Sequence, residues 1–258
     1  KVEAVQFFSH SPTVPYTCVD APGLVLHPSS CPCYTLDMDT TRLALKDMTP
    51  ELLLHEITAS FPNAYEAAVF AAYYHRHDTR GPRGQLPRDP YIAHPYRVAL
   101  RLIRWGVLDE VTIKAAVLHD VFEDHADDIE REEGLQADLF IPAEFGDDVW
   151  HIVYGVSNPP GRLSHEEYRA HVIEAIADDP RILAVKNGDL SDNALSLHHT
   201  PGPRRGRLAR KNLPLAEPVM ERLQDDDAVA FLGRKGAASA LEMWKRGLPK
   251  LREFAQED

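Results

Sequence analysis

Eight residues, Val117-Leu-His-Asp-Val-Phe-Glu-Asp124, set a histidine and three carboxylates inside an otherwise apolar run. Ile113, Ala116, Val117, Leu118, Val121 and Phe122 repeat at helical spacing, and Asp109 or Thr112 can cap the start. On one continuous helix His119 and Glu123 stand a turn apart, as do Asp120 and Asp124. Charge buried next to Leu118 and Val121 costs several kcal/mol unless it is paired or bound to a cation. A divalent cation accounts for the pattern most simply. The alternative is a chance His-Asp pair on a solvated helix face.

Size and charge narrow the field. With 258 residues, 44% of them hydrophobic, the chain can bury one good core with a small appendage. A net charge of −12 argues against a general binder of nucleic acid or of anionic membranes, since both would be repelled. An anionic small molecule held by local arginines and a metal remains compatible. No run approaches the ~20 apolar residues needed to span a bilayer, and no basic-then-apolar leader opens the sequence. The cysteines, Cys18, Cys31 and Cys33, all fall in the first segment, which is no disulfide framework, so a cytoplasmic location is the default expectation. Cys31-Pro-Cys33 is too tight for a zinc knuckle and reads as incidental.

Residues 1–48, rich in Pro, Ser, Thr and Cys, read as an irregular or β-hairpin appendage. From Thr49 the pattern is helical. Thr49-Pro50-Glu51 is a helix start, 64–74 an apolar helix, and 81–90 a loop dense in breakers. The stretch 92–105 is amphipathic and stops at Gly106. After the His-Asp helix, 124–134 reads as an acidic surface connection and 145–156 as a short helix. Ser164-His-Glu-Glu167 is a capping box before a helix through Ala177. Another helix covers 180–197, then a basic, Pro- and Gly-broken loop over 200–214 and a last helical region from Pro218, interrupted near Gly233–Gly236 and at Gly247. The expected architecture is all-α.

One His-Asp pair cannot close a metal site. Pro90-Tyr-Ile-Ala-His-Pro95 puts His94 at a helix entry, and Lys186-Asn-Gly-Asp189 puts a carboxylate on a late helix with Asn193 a turn on. Two His and two Asp suit Mn²⁺, Fe²⁺ or Zn²⁺ better than Mg²⁺ or Ca²⁺. The ordered set His75…Arg80, PYIAHP, LHDVFED, FGDDV and KNGDLSDN resembles the HD-type alarmone hydrolase domain of the RelA/SpoT homologues. Among these it is most similar to the small single-domain type, which includes the metazoan SpoT homologue. The resemblance covers about residues 60–200 and implies an HD-domain helical bundle, with residues 49–258 as a hydrolase domain. It further implies that His94, His119, Asp120 and Asp189 bind the metal, typically Mn²⁺, and that Glu123 and Asp124 handle the attacking water. Lys186 and Asn193 match positions lining the nucleotide pocket, Tyr91 its edge, and Arg80 an arginine that meets substrate phosphate. The family follows that arginine with Lys and a short turn. Here Gly81 and a longer loop with Arg83 and Arg88 follow, so the choice among the three arginines stays open.

The residue types suit such chemistry. A bound divalent metal can lower the pKa of its water toward about 7, Glu123 or Asp124 can orient or deprotonate that water, and an arginine can offset phosphoryl charge. The expected reaction is removal of pyrophosphate from the 3′ position of (p)ppGpp, giving GDP or GTP, with no synthetase activity. Alternatives are the same site acting on (p)ppApp, an NADPH 2′-phosphatase, or a non-catalytic alarmone-binding regulator. His75 and His77 read as structural, His198 and His199 as chance placements, and Arg204, Arg205, Arg207, Arg210 and Lys211 as a solvated loop, with reach towards a phosphorylated ligand as its alternative. Oligomeric state is not legible.

Overall fold

Helix starts and stops are written locally in this chain. In the computed structural model the Thr49 side chain accepts from the Leu52 N–H and Pro50 fills the first position of α1 (Pro50–Ser60). After a single 3₁₀ turn come α2 (Tyr65–Tyr74) and a second such turn, His75–His77. Two-residue strands β1 (Thr79–Arg80) and β2 (Asp89–Pro90) then pair antiparallel, Thr79 opposite Pro90. Helix α3 (Ala93–Trp105) ends at Gly106, whose left-handed φ of 98° closes the helix. Asp109 caps α4 (Glu110–Leu118), and α5 (Val121–Glu133) follows. Next are α6 (Ala137–Phe145), α7 (Asp147–Val156) and α8 (His165–Asp178), the last opened by the Ser164/Glu167 capping box. Asp179 caps α9 (Pro180–Ala194), and α10 (Gly202–Arg222) and α11 (Asp226–Phe254) complete the bundle.

The structure describes residues 43–81, 89–159 and 163–257, all within one unit. The expected appendage therefore lies largely outside the described residues, as do Arg83 and Arg88. Leu43, Leu45 and Met48 already pack against the helical core. Among the described residues no helix is long and apolar enough to cross a membrane.

Several sequence expectations are corrected, among them the break expected at Gly247, through which α11 runs on to Phe254. His119 and Asp120 do not ride on one continuous helix; they form the joint between α4 and α5. The His119 imidazole takes the Ala116 carbonyl, and Ser157 donates to the His119 carbonyl, so side chains replace helix bonds at the joint. The acidic 124–134 segment is helical to Glu133, and α6 stands where no helix was expected. The basic 200–214 segment is not a loop but the first half of α10. Its Gly and Pro content argues against helix, yet Arg205 forks onto Glu257 and Arg210 reaches the Ala255 and Glu257 carbonyls. Gly206 lies so close to Glu257 that an added Cβ would stand 2.3 Å from its carbonyl oxygen. Tertiary contact overrides local propensity there.

At the centre runs α9, packed on α3, α7, α8, α10 and α11. Its residues from Ile182 to Asp192 are buried without a break, Lys186, Asn187, Asp189, Ser191 and Asp192 included. Gly188 lets α3 come this close: a Cβ there would meet Leu102 Cδ1 at 2.7 Å and Val98 Cγ1 at 2.9 Å. Gly188→Ala is expected to destabilise the fold by about 1–3 kcal/mol, the usual penalty for overpacking. A lowered urea midpoint with unchanged slope would register this; an unchanged midpoint would mean α3 and α9 have slack.

Candidate metal centre

Burying a helix that carries five polar side chains requires each to be answered. Trp244 Nε1 donates to Asn187 Oδ1 at 2.6 Å, and Ser191 Oγ donates to the Asn187 carbonyl. Lys186 Nζ donates to Asp189 Oδ2 and to the Tyr168 hydroxyl, both at 2.8 Å. Burial works against this ammonium, but Asp189 and Tyr168 outweigh it and hold its pKa above the ordinary lysine range. Burial likewise opposes the Asp189 charge; Lys186 and the facing imidazoles reverse that and hold the carboxyl well below its usual range.

The other oxygen of Asp189 faces two histidines. Oδ1 lies 3.3 Å from His94 Nε2 and 3.8 Å from His119 Nε2. Asp120 approaches both imidazoles, with Oδ1 3.3 Å from His119 Nε2 and Oδ2 3.5 Å from His94 Nε2. His94, His119 and Asp189 can each offer one ligand atom to a common ion. Thus α3, the α4–α5 joint and α9 bring together the four side chains that the sequence singled out.

Both imidazoles are aimed from behind. His119 Nδ1 lies 2.8 Å from the Ala116 carbonyl, which can only accept, so the neutral ring keeps its lone pair on Nε2. His94 Nδ1 lies 2.8 Å from Asp192 Oδ2. Asp192 is clamped in turn by Arg97, Arg101 and Arg80. Burial would raise the Asp192 carboxyl, but His94 and Arg97 hold it far below the usual range. The two Nε2 atoms are buried without a hydrogen-bond partner. Two orphaned imidazole nitrogens beside two carboxylates fit a divalent cation, and the outward hydrogen bonds are those that orient metal-binding histidines.

The centre opens into a cavity of about 920 Å³. Glu123 and Asp124 line it beside Asp120, and the Asn158 N–H donates to Glu123 Oε2 at 2.9 Å. Burial raises both carboxyls, with Asp120 adding to the effect, and pushes Asp124 up to about 7. The Tyr91 hydroxyl donates to Asp120 Oδ2 at 2.7 Å. Arg80 bonds Asp192 and the Asn193 side-chain oxygen, with its guanidinium 5.1 Å from the Tyr91 ring centre. Asn193 also donates to Asp189 Oδ1.

Several contributors were not singled out from sequence. Asp192 stands three residues after Asp189, and Arg97 and Arg101 fall at helical spacing after His94, a pattern that only becomes a network once α3 and α9 touch. Tyr168, on α8, gave no signal. Arg204, Arg207 and Lys211, read as a solvated loop, share one face of α10 and line the same cavity as the carboxylates. Arg207 and Lys211 make no salt bridge among the described residues, and like charges a turn apart repel unless an anion joins them.

The HD-domain family profile matches residues 67–223. A probable GTP pyrophosphokinase of Mycobacterium leprae is 35% identical over 139 residues, covering 52% of this chain and 16% of its own length. A guanosine-3′,5′-bis(diphosphate) 3′-pyrophosphohydrolase of Aquifex aeolicus is 31% identical over 183 residues, covering 69% and 25%. The chain spans about a quarter or less of the length of these curated relatives. Among solved structures, a metazoan ortholog of SpoT that hydrolyses ppGpp superposes with a TM-score of 0.53 at 24% identity, over 72% of this chain and 96% of that one. That likeness is one of fold.

Burial would lower the His119 imidazole, but Asp120 and Asp189 raise it to about 9. A cation therefore competes with a proton there. Divalent-metal affinity should rise with pH up to about 9, and binding near neutrality should release about one proton. Titration calorimetry in buffers of different ionisation enthalpy measures this; zero proton release would contradict it.

Proposed function

The chain belongs to the HD-domain family, and on that premise we propose that it is a metal-dependent hydrolase of (p)ppGpp, releasing pyrophosphate from the 3′ position. The observation that carries this reading is the convergence of His94, His119, Asp120 and Asp189 beside Glu123 and Asp124, at a cavity also lined by Arg204, Arg207 and Lys211. Relatives named as 3′-pyrophosphohydrolases of the same nucleotide support the choice of substrate.

In this reading the two histidines and two aspartates hold a divalent cation, for which Mn²⁺ suits the mixed nitrogen and oxygen set. Such an ion supplies Lewis-acid charge and a lowered water pKa. Asp124, whose carboxyl titrates near neutrality, takes a proton from the attacking water. Glu123, fixed by the Asn158 N–H, orients that water. Water adds to the phosphorus on the 3′ oxygen, the O3′–P bond breaks, and the sugar oxygen regains a proton. Lys186 keeps Asp189 ionised, while Asn193 and Tyr91 hold the floor of the nucleotide pocket. Arg80, braced by Asp192 and Asn193, meets one phosphate, with Arg83, three positions on in the sequence, as a second candidate. Arg204, Arg207 and Lys211, which line the same cavity, offset the remaining negative charge of the nucleotide.

Residues 49–258 are the hydrolase unit in this proposal, residues 1–48 an appendage, and the cytoplasm the compartment. The expected partner is the nucleotide itself, with neither nucleic acid nor membrane.

Asp120→Ala should lower ppGpp turnover with Mn²⁺ by more than about 100-fold while circular dichroism and thermal unfolding show a folded protein. An active Asp120→Ala variant would remove the metal assignment. Wild-type protein assayed side by side on ppGpp, ppApp and NADPH should prefer ppGpp. Faster NADPH or ppApp turnover, or tight ppGpp binding with no turnover, would replace the substrate assignment or the activity itself.

A further inference from the structure

A second cluster of ligand atoms lies outside the centre described above. His75 sits in the 3₁₀ turn after α2, Asp78 follows that turn, and His125 stands where α5 leaves helical geometry, at φ −131° and ψ 19°. The bend carries the His125 ring toward the turn. His125 Nε2 lies 2.8 Å from Asp78 Oδ2 and 3.1 Å from His75 Nδ1, and His75 Nδ1 lies 2.9 Å from Asp78 Oδ2. Three atoms of metal-binding type, two from the turn after α2 and one from α5, thus close a small triangle. An ion with tetrahedral bonds of about 2.0–2.1 Å keeps its ligand atoms roughly 3.3 Å apart, so the triangle needs to open by only a few tenths of an ångström.

The surroundings match a ligand set. His125 Nδ1 bonds Asp128 Oδ2 at 2.9 Å, and Arg131 holds Asp128. A carboxylate behind the far ring nitrogen fixes the tautomer that leaves Nε2 free to bind a cation. The His75 side chain is fully buried and that of His125 11% exposed, whereas Asp78 is 38% exposed. One side of the triangle is therefore open for water as a further ligand. Two neutral imidazoles and one carboxylate leave a dication with one positive charge, which Asp124 and Asp128 lie close enough to balance.

We propose that His75, Asp78 and His125 form a second divalent-cation site, of the two-nitrogen, one-oxygen kind that zinc and its first-row neighbours favour. This site stands on its own geometry and does not depend on the activity proposed above. Its place suggests what it does. Asp78 lies two residues before Arg80, and His125 directly follows Asp124. Tyr91 stacks on His75 with ring centres 4.7 Å apart while bonding Asp120. An ion here ties the short strand that presents Arg80 to the turn that presents Glu123 and Asp124. Its role is positioning rather than contact with substrate.

The competing explanation is a hydrogen-bonded trio, in which both imidazoles donate to Asp78 and His125 carries a second proton toward Asp128. A metal count separates the two. Metal-stripped full-length chain titrated with Zn²⁺ by calorimetry, and with Co²⁺ followed by its visible absorption, should take up two equivalents. His125→Ala should take up one, and so should Asp78→Asn, which keeps the size of the side chain and guards against a folding defect in the first variant. Asp189→Ala should also bind one, at the remaining cluster. A single equivalent in the wild type that folded His125→Ala and Asp78→Asn retain, or two equivalents in those variants, overturns the proposal. Two equivalents in Asp189→Ala, with one in His125→Ala, would instead remove the metal reading of the first centre and leave this one standing.

Discussion

The structure depends on how the charge of Asp189 is kept inside the bundle. A carboxylate at the middle of a buried helix is tolerable only if its neighbours neutralise it. Lys186, one turn before it, occupies one oxygen, and the two imidazoles and Asn193 share the other. Asp192, one turn further on, repeats the arrangement with arginines from α3. The polar side of α9 is thus a row of answered charges. The answers come from helices that must then pack where those charges are, which ties the position of His94 to that of Asp189.

This row also sets up an electrostatic contrast across the cavity. On one wall Asp120, Glu123, Asp124 and Asp189 crowd within a few side chains of each other, and burial raises Glu123 and Asp124 while Lys186 and the imidazoles keep Asp189 ionised. On the other, Arg204, Arg207 and Lys211 line α10. Lys211 acts on Glu123 through its charge, yet none of the three cations forms a salt bridge with these carboxylates among the described residues. A cation on the acidic side and a polyanion between them would relieve both, which is the arrangement a phosphoryl-transfer site requires. The neighbouring His75, Asp78 and His125 lie behind Tyr91, so the two clusters share one aromatic ring as their partition.

Much of the site was legible because its residues are chemically conspicuous at short range. His119-Asp120 inside an apolar run, His94 between prolines at a helix start, and Asp189 with Asn193 a turn later each declare themselves locally, and the structure brings them together. The joint between α4 and α5 was not legible. Helical spacing runs straight through Val117–Asp124, and only the His119 side chain on the Ala116 carbonyl and Ser157 on the His119 carbonyl interrupt it. The helix over 202–222 was hidden for the opposite reason. Glycine and proline there weaken the local signal, and the stabilising contacts come from the far end of the chain, at Ala255 and Glu257. His75 looked structural and His125 drew no attention, because nothing in their spacing, fifty residues apart, says that they meet.

By itself the sequence determined the all-α class, the capped helix starts and the candidate ligands of the first centre, since propensity, capping and ligand chemistry act over a turn or two of chain. Tertiary structure alone decided which nitrogen of each imidazole faces inward, that Asp192 and its arginines stand behind His94, and that a basic segment becomes a wall of the cavity. Those outcomes depend on distances between atoms far apart in sequence, and such distances exist only once α3, α9 and α10 have packed.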